Sequence, residues 1–388
     1  MHAIKTFVRG LARLASAAPE TVLPYAITRA AMVVVGILAA ARVPFGDSCH
    51  PCDLSSSPLL SAFSRWDGRW YLSIARYGYS YVPGTQSNVV FSPLLPLLMR
   101  GLASLTGHVD DDVLVAAGLV VTNAALLAAL FYLLALGRSE IGVAGARRSV
   151  LYLLLFPTSV FLSALYPESL LLACALGALV EARRGRWPLA GVLAALAALS
   201  RPFGVLLAIP LAMEALARRA RRDDAPVPAR APLGAAALAV GLPVAAFVAW
   251  CGYLYRFTGD ALAFVHAEAS WSQRPGLPVR SVADLLDPAV YGDPWIVAGT
   301  LLLVTVCVVV SWRMLRPSTA AYGTVMLIAA LSSGTLTSFP RYALEVFPAF
   351  LVLGAAGRWR PVHLSYVAIG TALSVLLAAM FASWYWIG

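Results

Sequence analysis

Residues 113–136 read VLVAAGLVVTNAALLAALFYLLAL, a run of 24 positions without a charged side chain, preceded by Asp110, Asp111 and Asp112 and followed by Arg138. A helix needs about 20 mostly apolar residues to cross a bilayer core, so this stretch reads as a membrane span. Comparable apolar runs lie outward from it at 22–43, 149–166, 168–183, 187–200, 203–217, 233–256, 294–312, 319–336, 341–357 and 363–386. Together they predict an all-α polytopic membrane protein of about eleven transmembrane helices, several short enough to be tilted or broken. The composition agrees, with 60% hydrophobic and 12% charged residues where soluble domains carry about 25% charged. Residues 1–388 are expected to form one bundle. Lys5, Arg9 and Arg13 are spread ahead of the first run and no A-x-A-like site closes it, so that run is read as retained, not cleaved.

The net charge is +10, yet the basic residues gather in short clusters between apolar runs, which argues against a nucleic-acid partner. The clusters are the N-terminus, Arg138 with Arg147 and Arg148, then Arg183, Arg184 and Arg186. Arg218, Arg219, Arg221 and Arg222 follow, then Arg313 with Arg316 and Arg358 with Arg360. Alternating eleven spans puts all six on one side, so the positive-inside rule sets the N-terminus in the cytoplasm of a multi-pass cell-membrane protein. The outer connections are then 44–112, the turns at Pro167–Glu168, 200–203 and 338–342, and the loop 257–293. Two of these are too long to be mere connectors.

Within 44–112, residues 64–79 predict an amphipathic helix lying at the membrane surface. Trp66, Trp70, Ile74 and Tyr77 recur at helical spacing, beside a stripe of Arg65, Arg69, Ser73 and Arg76. Residues 91–99 are apolar but broken by Pro93 and Pro96, and read as a re-entrant or interfacial segment. Asp67 is either the N-cap of the surface helix or an acid that meets a lipid-linked substrate at the headgroups. Cys49 and Cys52 share a polar stretch that permits a disulfide or two free thiols; with His50 they are too few for zinc.

Ionisable groups mark the other outer turns. Glu168 is a helix cap, a partner for an arginine or a catalytic acid. Arg201 and Arg341 either snorkel to the headgroups or bind phosphate. Ionisable groups at membrane depth are expensive and usually mark a pair or a substrate path. His266 is a structural hydrogen-bonder, a donor to a phosphate oxygen or a participant in proton transfer. No motif calls for a cofactor, and Asp110–Asp112 signal a divalent metal only weakly. The P-loop, the dinucleotide fingerprint, H-E-x-x-H and G-x-S-x-G are all missing. An activated substrate would therefore arrive through the lipid.

In order along the chain stand RWDGRWY (65–71) with Gly78 and Tyr79, NVVFSPLLP (88–96), Phe156-Pro157, YPES (166–169) and LSRPFG (199–204). GDALAF (259–264) with Trp271, SFPRY (338–342) and Phe347-Pro348 complete the series. This set resembles the PIG-V type mannosyltransferases and their bacterial relatives, within the GT-C membrane glycosyltransferases. Family members often carry an aromatic where Ser92 stands, and Ser or Thr where Pro167 stands.

The resemblance implies a GT-C bundle whose first outer loop bears the catalytic acid, and transfer of mannose from a polyprenyl-phosphate donor to an acceptor hydroxyl on glycan, lipid or protein. Asp67 would be the general base and Glu168 its companion. Arg341, Arg201 and His266 would attend the donor phosphate, with Arg65, Trp66, Arg69, Asn88 and Trp271 as substrate or loop contacts. Two other classes are weighed: a transporter or flippase of lipid-linked sugars, and a non-catalytic subunit of a glycosylation complex.

Overall fold

The computed structural model describes residues 2–46, 53–220, 233–271, 276–285 and 294–387, with 2–18 as helix backbone alone. Cys49, His50 and Cys52, and with them the expected disulfide, lie outside the described residues, as do Arg221 and Arg222. The chain opens with α1 (His2–Arg42), α2 (Pro58–Ala62), α3 (Gly68–Tyr77), α4 (Leu94–Ser104) and α5 (Asp111–Glu140). It continues through α6 (Gly142–Leu154), α7 (Glu168–Arg183), α8 (Trp187–Ser200), α9 (Ala208–Ala220) and α10 (Leu233–Thr258). Then come α11 (Ala263–Ala267), α12 (Pro278–Asp284), α13 (Trp295–Met314), α14 (Pro317–Leu331), α15 (Phe339–Tyr342), α16 (Phe347–Ala356) and α17 (Arg360–Ala382). Among the described residues there is no strand.

This is a multi-pass membrane protein. By length and composition five helices can cross a bilayer: α5, α13, α17 and parts of α1 and α10. Phe339–Glu345, which contains α15, and α16 are bent by 78° at the break between them and together form a broken span or a re-entrant loop. The other expected spans are helices of 13 to 16 residues, too short to cross about 30 Å alone; the figure of eleven rests on the sequence reading. Leu238 and Val248 on α10, Leu302 and Val309 on α13, and Leu364 and Ile369 on α17 face outward, as lipid contact requires.

Inside this ring α7 is buried on nearly every face and packs against α5 and α8. Small residues let α8 and α10 approach, since a Cβ on Gly191 would stand 2.7 Å from the Ala239 backbone. Local chemistry starts α5: the Asp110 carboxylate accepts from the Val113 amide at 2.9 Å, and Asp111 and Asp112 in the first turn oppose Arg138 in the last.

Two expectations change here. The run 149–166 is not one helix, because α6 stops at Leu154 and residues 155–167 form an irregular, mostly buried segment. Such backbone survives at membrane depth only where other groups satisfy it. Arg29 donates to the carbonyls of Leu154 and Ser159, each at 3.1 Å. Asn123 donates to Ser163 O at 3.1 Å, and Ser169 Oγ to Leu162 O at 2.6 Å.

The surface helix is also shorter than expected. It begins at Gly68 and buries Tyr71, Leu72, Ile74 and Ala75, while Tyr77 is 81% exposed. Trp66 precedes the helix with φ 58°, a left-handed backbone that bulky residues rarely adopt.

The basic clusters meet at one end. Glu20 pairs with Arg138 and Arg147, Arg183 with Glu140 and Glu214, and Arg148 donates to Gly354 O. α7 runs from Glu168 to Arg183, about 24 Å at 1.5 Å per residue, so the acids and arginines near Glu168 lie toward the other end.

Candidate active site

At that other end a cavity of about 700 Å³ opens between the first loop, α7, the turn before α9, α11 and the bent α15–α16 pair. Asp67, Glu168, Arg201 and Arg341 line it, together with Trp66, Arg69 and Trp271. Asp67 occupies the N-cap position of α3 but its side chain makes no cap hydrogen bond. The carboxylate turns inward instead, and its Oδ2 accepts from Arg341 Nη1 at 2.7 Å.

Each part of that pair is positioned by backbone chemistry. The Asp67 amide donates to Tyr166 Oη at 3.0 Å, and that hydroxyl donates to Arg65 O at 3.2 Å. The Leu165 amide reaches Phe63 O at 2.8 Å. The irregular segment thereby holds the first loop against α7. Arg341 sits in α15, four residues ahead of the acid Glu345 and just before the bend. Thr158 Oγ1 fastens α15 by donating to Pro340 O at 2.7 Å, and Tyr322 Oη fixes Glu345 O at 3.1 Å.

The charges form a chain. Arg341 Nε lies 3.5 Å from Glu168 Oε1, and Arg201 Nη1 bridges Glu168 Oε1 at 3.0 Å and Glu345 Oε1 at 2.6 Å. Three carboxylates thus alternate with two guanidinium groups, and Glu168 and Glu345 are fully buried. Gly204 lets the turn after α8 close and aim Arg201 inward, because a Cβ there would stand 2.2 Å from Ala197 backbone atoms. Among the described residues no group of three or more His, Cys, Asp or Glu is arranged to hold a metal ion.

Aromatic rings complete the walls. Trp66 packs on Trp384 at 5.7 Å and Trp386 at 5.3 Å. Trp70, Phe91 and Trp271 contact one another edge-on and face-on. Arg69 lies over the Trp70 ring at 4.9 Å.

Three residues singled out from the sequence stand apart from the cavity lining. Arg65 is buried, donates to Ala382 O at 3.2 Å and pairs with Asp53. Asn88 spends its amide locally, accepting from the Ser80 amide at 2.7 Å and donating to Gly78 O at 3.1 Å. His266 is an exposed ring 2.6 Å from Asp260 Oδ2, a hydrogen bond that holds the Asp260 carboxyl below its usual range.

Glu345 and Glu268 were not singled out. An acid inside the apolar run 341–357 was the available signal for Glu345. Glu268 also lines the cavity, where burial pushes its carboxyl up to about 7 while Arg201 pulls it back.

This helical bundle, with its cavity under a helical first loop, has the GT-C type fold. ArnT from Cupriavidus metallidurans, solved bound to undecaprenyl phosphate, matches 92% of this chain and 63% of its own with a TM-score of 0.53 and 17% identity; that likeness concerns the fold alone. The resemblance to the PIG-V type mannosyltransferases has its own footing. A family model, Mannosyltransferase (PIG-V), matches residues 45–222. Over 159 residues the chain is 34% identical to GPI alpha-1,6-mannosyltransferase 2 of Rattus norvegicus and 35% identical to that of Mus musculus. These matches cover 38% of this chain and 30% of each relative, so the chain spans under a third of the length of those relatives. Asp67, Glu168 and Arg201 fall within 45–222; Arg341, Glu345 and Glu268 lie beyond it.

Proposed function

We propose that this protein is a membrane glycosyltransferase that moves mannose from a polyprenyl-phosphate donor to an acceptor hydroxyl at the extracytoplasmic face. The observation that carries the reading is the Asp67–Arg341 contact of 2.7 Å inside a cavity large enough for a sugar phosphate. Asp67 takes the proton of the acceptor hydroxyl as that oxygen attacks the anomeric carbon. The bond from that carbon to the phosphate oxygen breaks on the opposite face, which inverts the configuration and releases polyprenyl phosphate.

Arg341 has a planar fork that can bridge Asp67 and the departing phosphate, where negative charge grows. Arg201 is held between two glutamates and stacked 4.5 Å over Tyr342, so we assign it to fixing Glu168 and Glu345 rather than to phosphate. Arg69 makes no ion pair with a carboxylate among the described residues and is exposed at the cavity. Its charge suits drawing an anionic headgroup in. His266 has no part in this scheme.

The test is transfer from synthetic polyprenyl-phosphate mannose by the purified, reconstituted protein, with release of polyprenyl phosphate as readout. Asp67→Asn keeps the shape and loses the base, and should lower the rate by about 10²- to 10⁴-fold. Wild-type rates in that variant would remove Asp67 as the base. Movement of the lipid across vesicles without bond cleavage would replace the enzyme reading with a flippase.

A further inference from the structure

Among the described residues two positions other than glycine hold a positive φ, Trp66 at 58° and Trp384 at 65°. A left-handed backbone is costly for a bulky residue and persists only where its surroundings enforce it. The two stand far apart in sequence, yet their rings meet at 5.7 Å. Trp384 ends α17. Its amide donates to Phe381 O at 3.2 Å and the Tyr385 amide to Met380 O at 2.9 Å, the pair of bonds by which a helix stops on a left-handed residue, usually glycine. A buried tryptophan at that position points to a use for the ring.

The Trp386 ring stands edge-on to Trp66 at 5.3 Å. The Trp66 indole nitrogen is buried with no hydrogen-bond partner among the described residues, so that ring is held by packing alone. The segment that holds it is itself tied down. The Gly46 amide donates to Ser383 O at 2.9 Å, and Arg65 Nε donates to Ala382 O at 3.2 Å. The Arg65 guanidinium also lies 4.8 Å over the Trp384 ring.

The effect of the left-handed turn is visible one residue on. An N-cap residue normally has an extended backbone and lends its side chain to the amides of the first turn. Asp67 instead has φ −64° and ψ −18°, already helical, and its side chain makes no cap bond. The chain is turned at Trp66 so that the carboxylate meets Arg341. Trp386 also reaches the other half of that pair, since the Arg341 guanidinium lies 5.6 Å over its ring.

Resting on the glycosyl-transfer reading, we propose that Trp384 and Trp386 are positioning residues for the transfer. They hold Trp66 in its left-handed turn, which keeps the Asp67 carboxylate on Arg341, and Trp386 gives the guanidinium a ring face to lie on. Neither ring takes or gives a proton. Arg65 serves the same end by fastening the first loop to the segment that follows α17. A misplacement of about 1 Å at a reacting group can cost about 10²-fold in rate, so a loosened turn is felt in kcat before it is felt in binding.

The test uses the full chain in nanodiscs and two readouts. The first, taken without substrate, is hydrogen exchange of the peptide 64–71, whose Asp67 and Arg69 amides are bonded to Tyr166 Oη and Trp66 O. Trp386→Leu keeps apolar bulk and loses the π face, whereas Trp386→Phe keeps a ring. Trp384→Gly suits the left-handed stop and removes the ring. Exchange should quicken by about tenfold or more in Trp386→Leu and Trp384→Gly and stay near wild type in Trp386→Phe. The second readout is mannosyl transfer. In Trp386→Leu kcat should fall by about 10- to 100-fold with the donor KM within about twofold, and Trp386→Phe should keep most of the rate. Added to Asp67→Asn, Trp386→Leu should cost little more, because residues that act as a unit are not additive. Wild-type exchange, wild-type kcat, equal losses in the Leu and Phe variants, or a full further loss on top of Asp67→Asn would each overturn the assignment. Quickened exchange beside a wild-type rate in Asp67→Asn would overturn the transfer chemistry and leave the aromatic segment as a clasp on the first loop.

Discussion

Arg341 is asked to do several things with one side chain. It contacts Asp67 and Glu168 and lies over the rings of Phe161, Tyr166, Tyr342 and Trp386 at 5.2 to 5.6 Å. A planar, delocalised cation meets that geometry, whereas an ammonium is a compact point charge. Arg341→Lys should therefore keep a folded protein while kcat/KM for mannosyl transfer falls by about tenfold or more; equal kinetics would reduce Arg341 to a source of charge. Glu168, Arg201 and Arg341 were legible in the sequence because each is an ionisable group at a predicted span end, and Asp67 because it stands among Trp and Arg in the predicted surface helix. Glu345 was hidden inside an apolar run, and Glu268 in a loop whose histidine drew the attention. Arg65 and Asn88 sit amid the motif residues but serve its architecture, a distinction that spacing does not carry.

At the scale of elements, the break at 155–167 is the part that hydropathy could not see. Its residues are as apolar as those of a span, so averaged hydrophobicity joins them to α6; Phe156-Pro157 was the only local hint. Pro157 has no amide with which to continue the helix, and Arg29 supplies from α1 donors for the Leu154 and Ser159 carbonyls that the break leaves open. Arg29 is buried, and its guanidinium also donates to Ser163 Oγ at 3.1 Å. Arg29→Leu strips donors from two carbonyls and a hydroxyl, each worth roughly 1–3 kcal/mol when left unsatisfied. Loss of the charge's own burial cost offsets part of this. A drop of several degrees in the melting temperature of the detergent-solubilised protein is expected. An unchanged melt would mean that the segment finds other donors.

For the whole molecule, the placement of the basic clusters predicts which end faces the cytoplasm. Among the described residues Arg138, Arg147 and Arg183 pair with Glu20, Glu140 and Glu214 toward the end of α7 away from the cavity, while Asp67 and Glu168 line the cavity at the other end. Sidedness is checked with a membrane-impermeant maleimide on intact cells, in a background with Cys49, Cys52 and Cys251 replaced. Thr85→Cys, in the exposed loop between α3 and α4, should react from outside. Val143→Cys, 48% exposed at the start of α6, should react only after permeabilisation; the reverse pattern would place the cavity in the cytoplasm.

The Asp67–Arg341 contact joins positions 274 residues apart, and that separation has a meaning in time as well as space. Chains lengthen at about 5–20 residues per second, so the acid waits on the order of 15 s to 1 min for its arginine. During that interval the first loop can already pack on α1, α5 and the α6–α7 break, while the Asp67 carboxylate lacks its arginine. The charged chain closes only when α15 and α16 fold back. On the proposed mechanism the site is therefore incomplete until nearly the whole bundle is inserted, and a chain abandoned before α15 would lack the Asp67–Arg341 pair altogether.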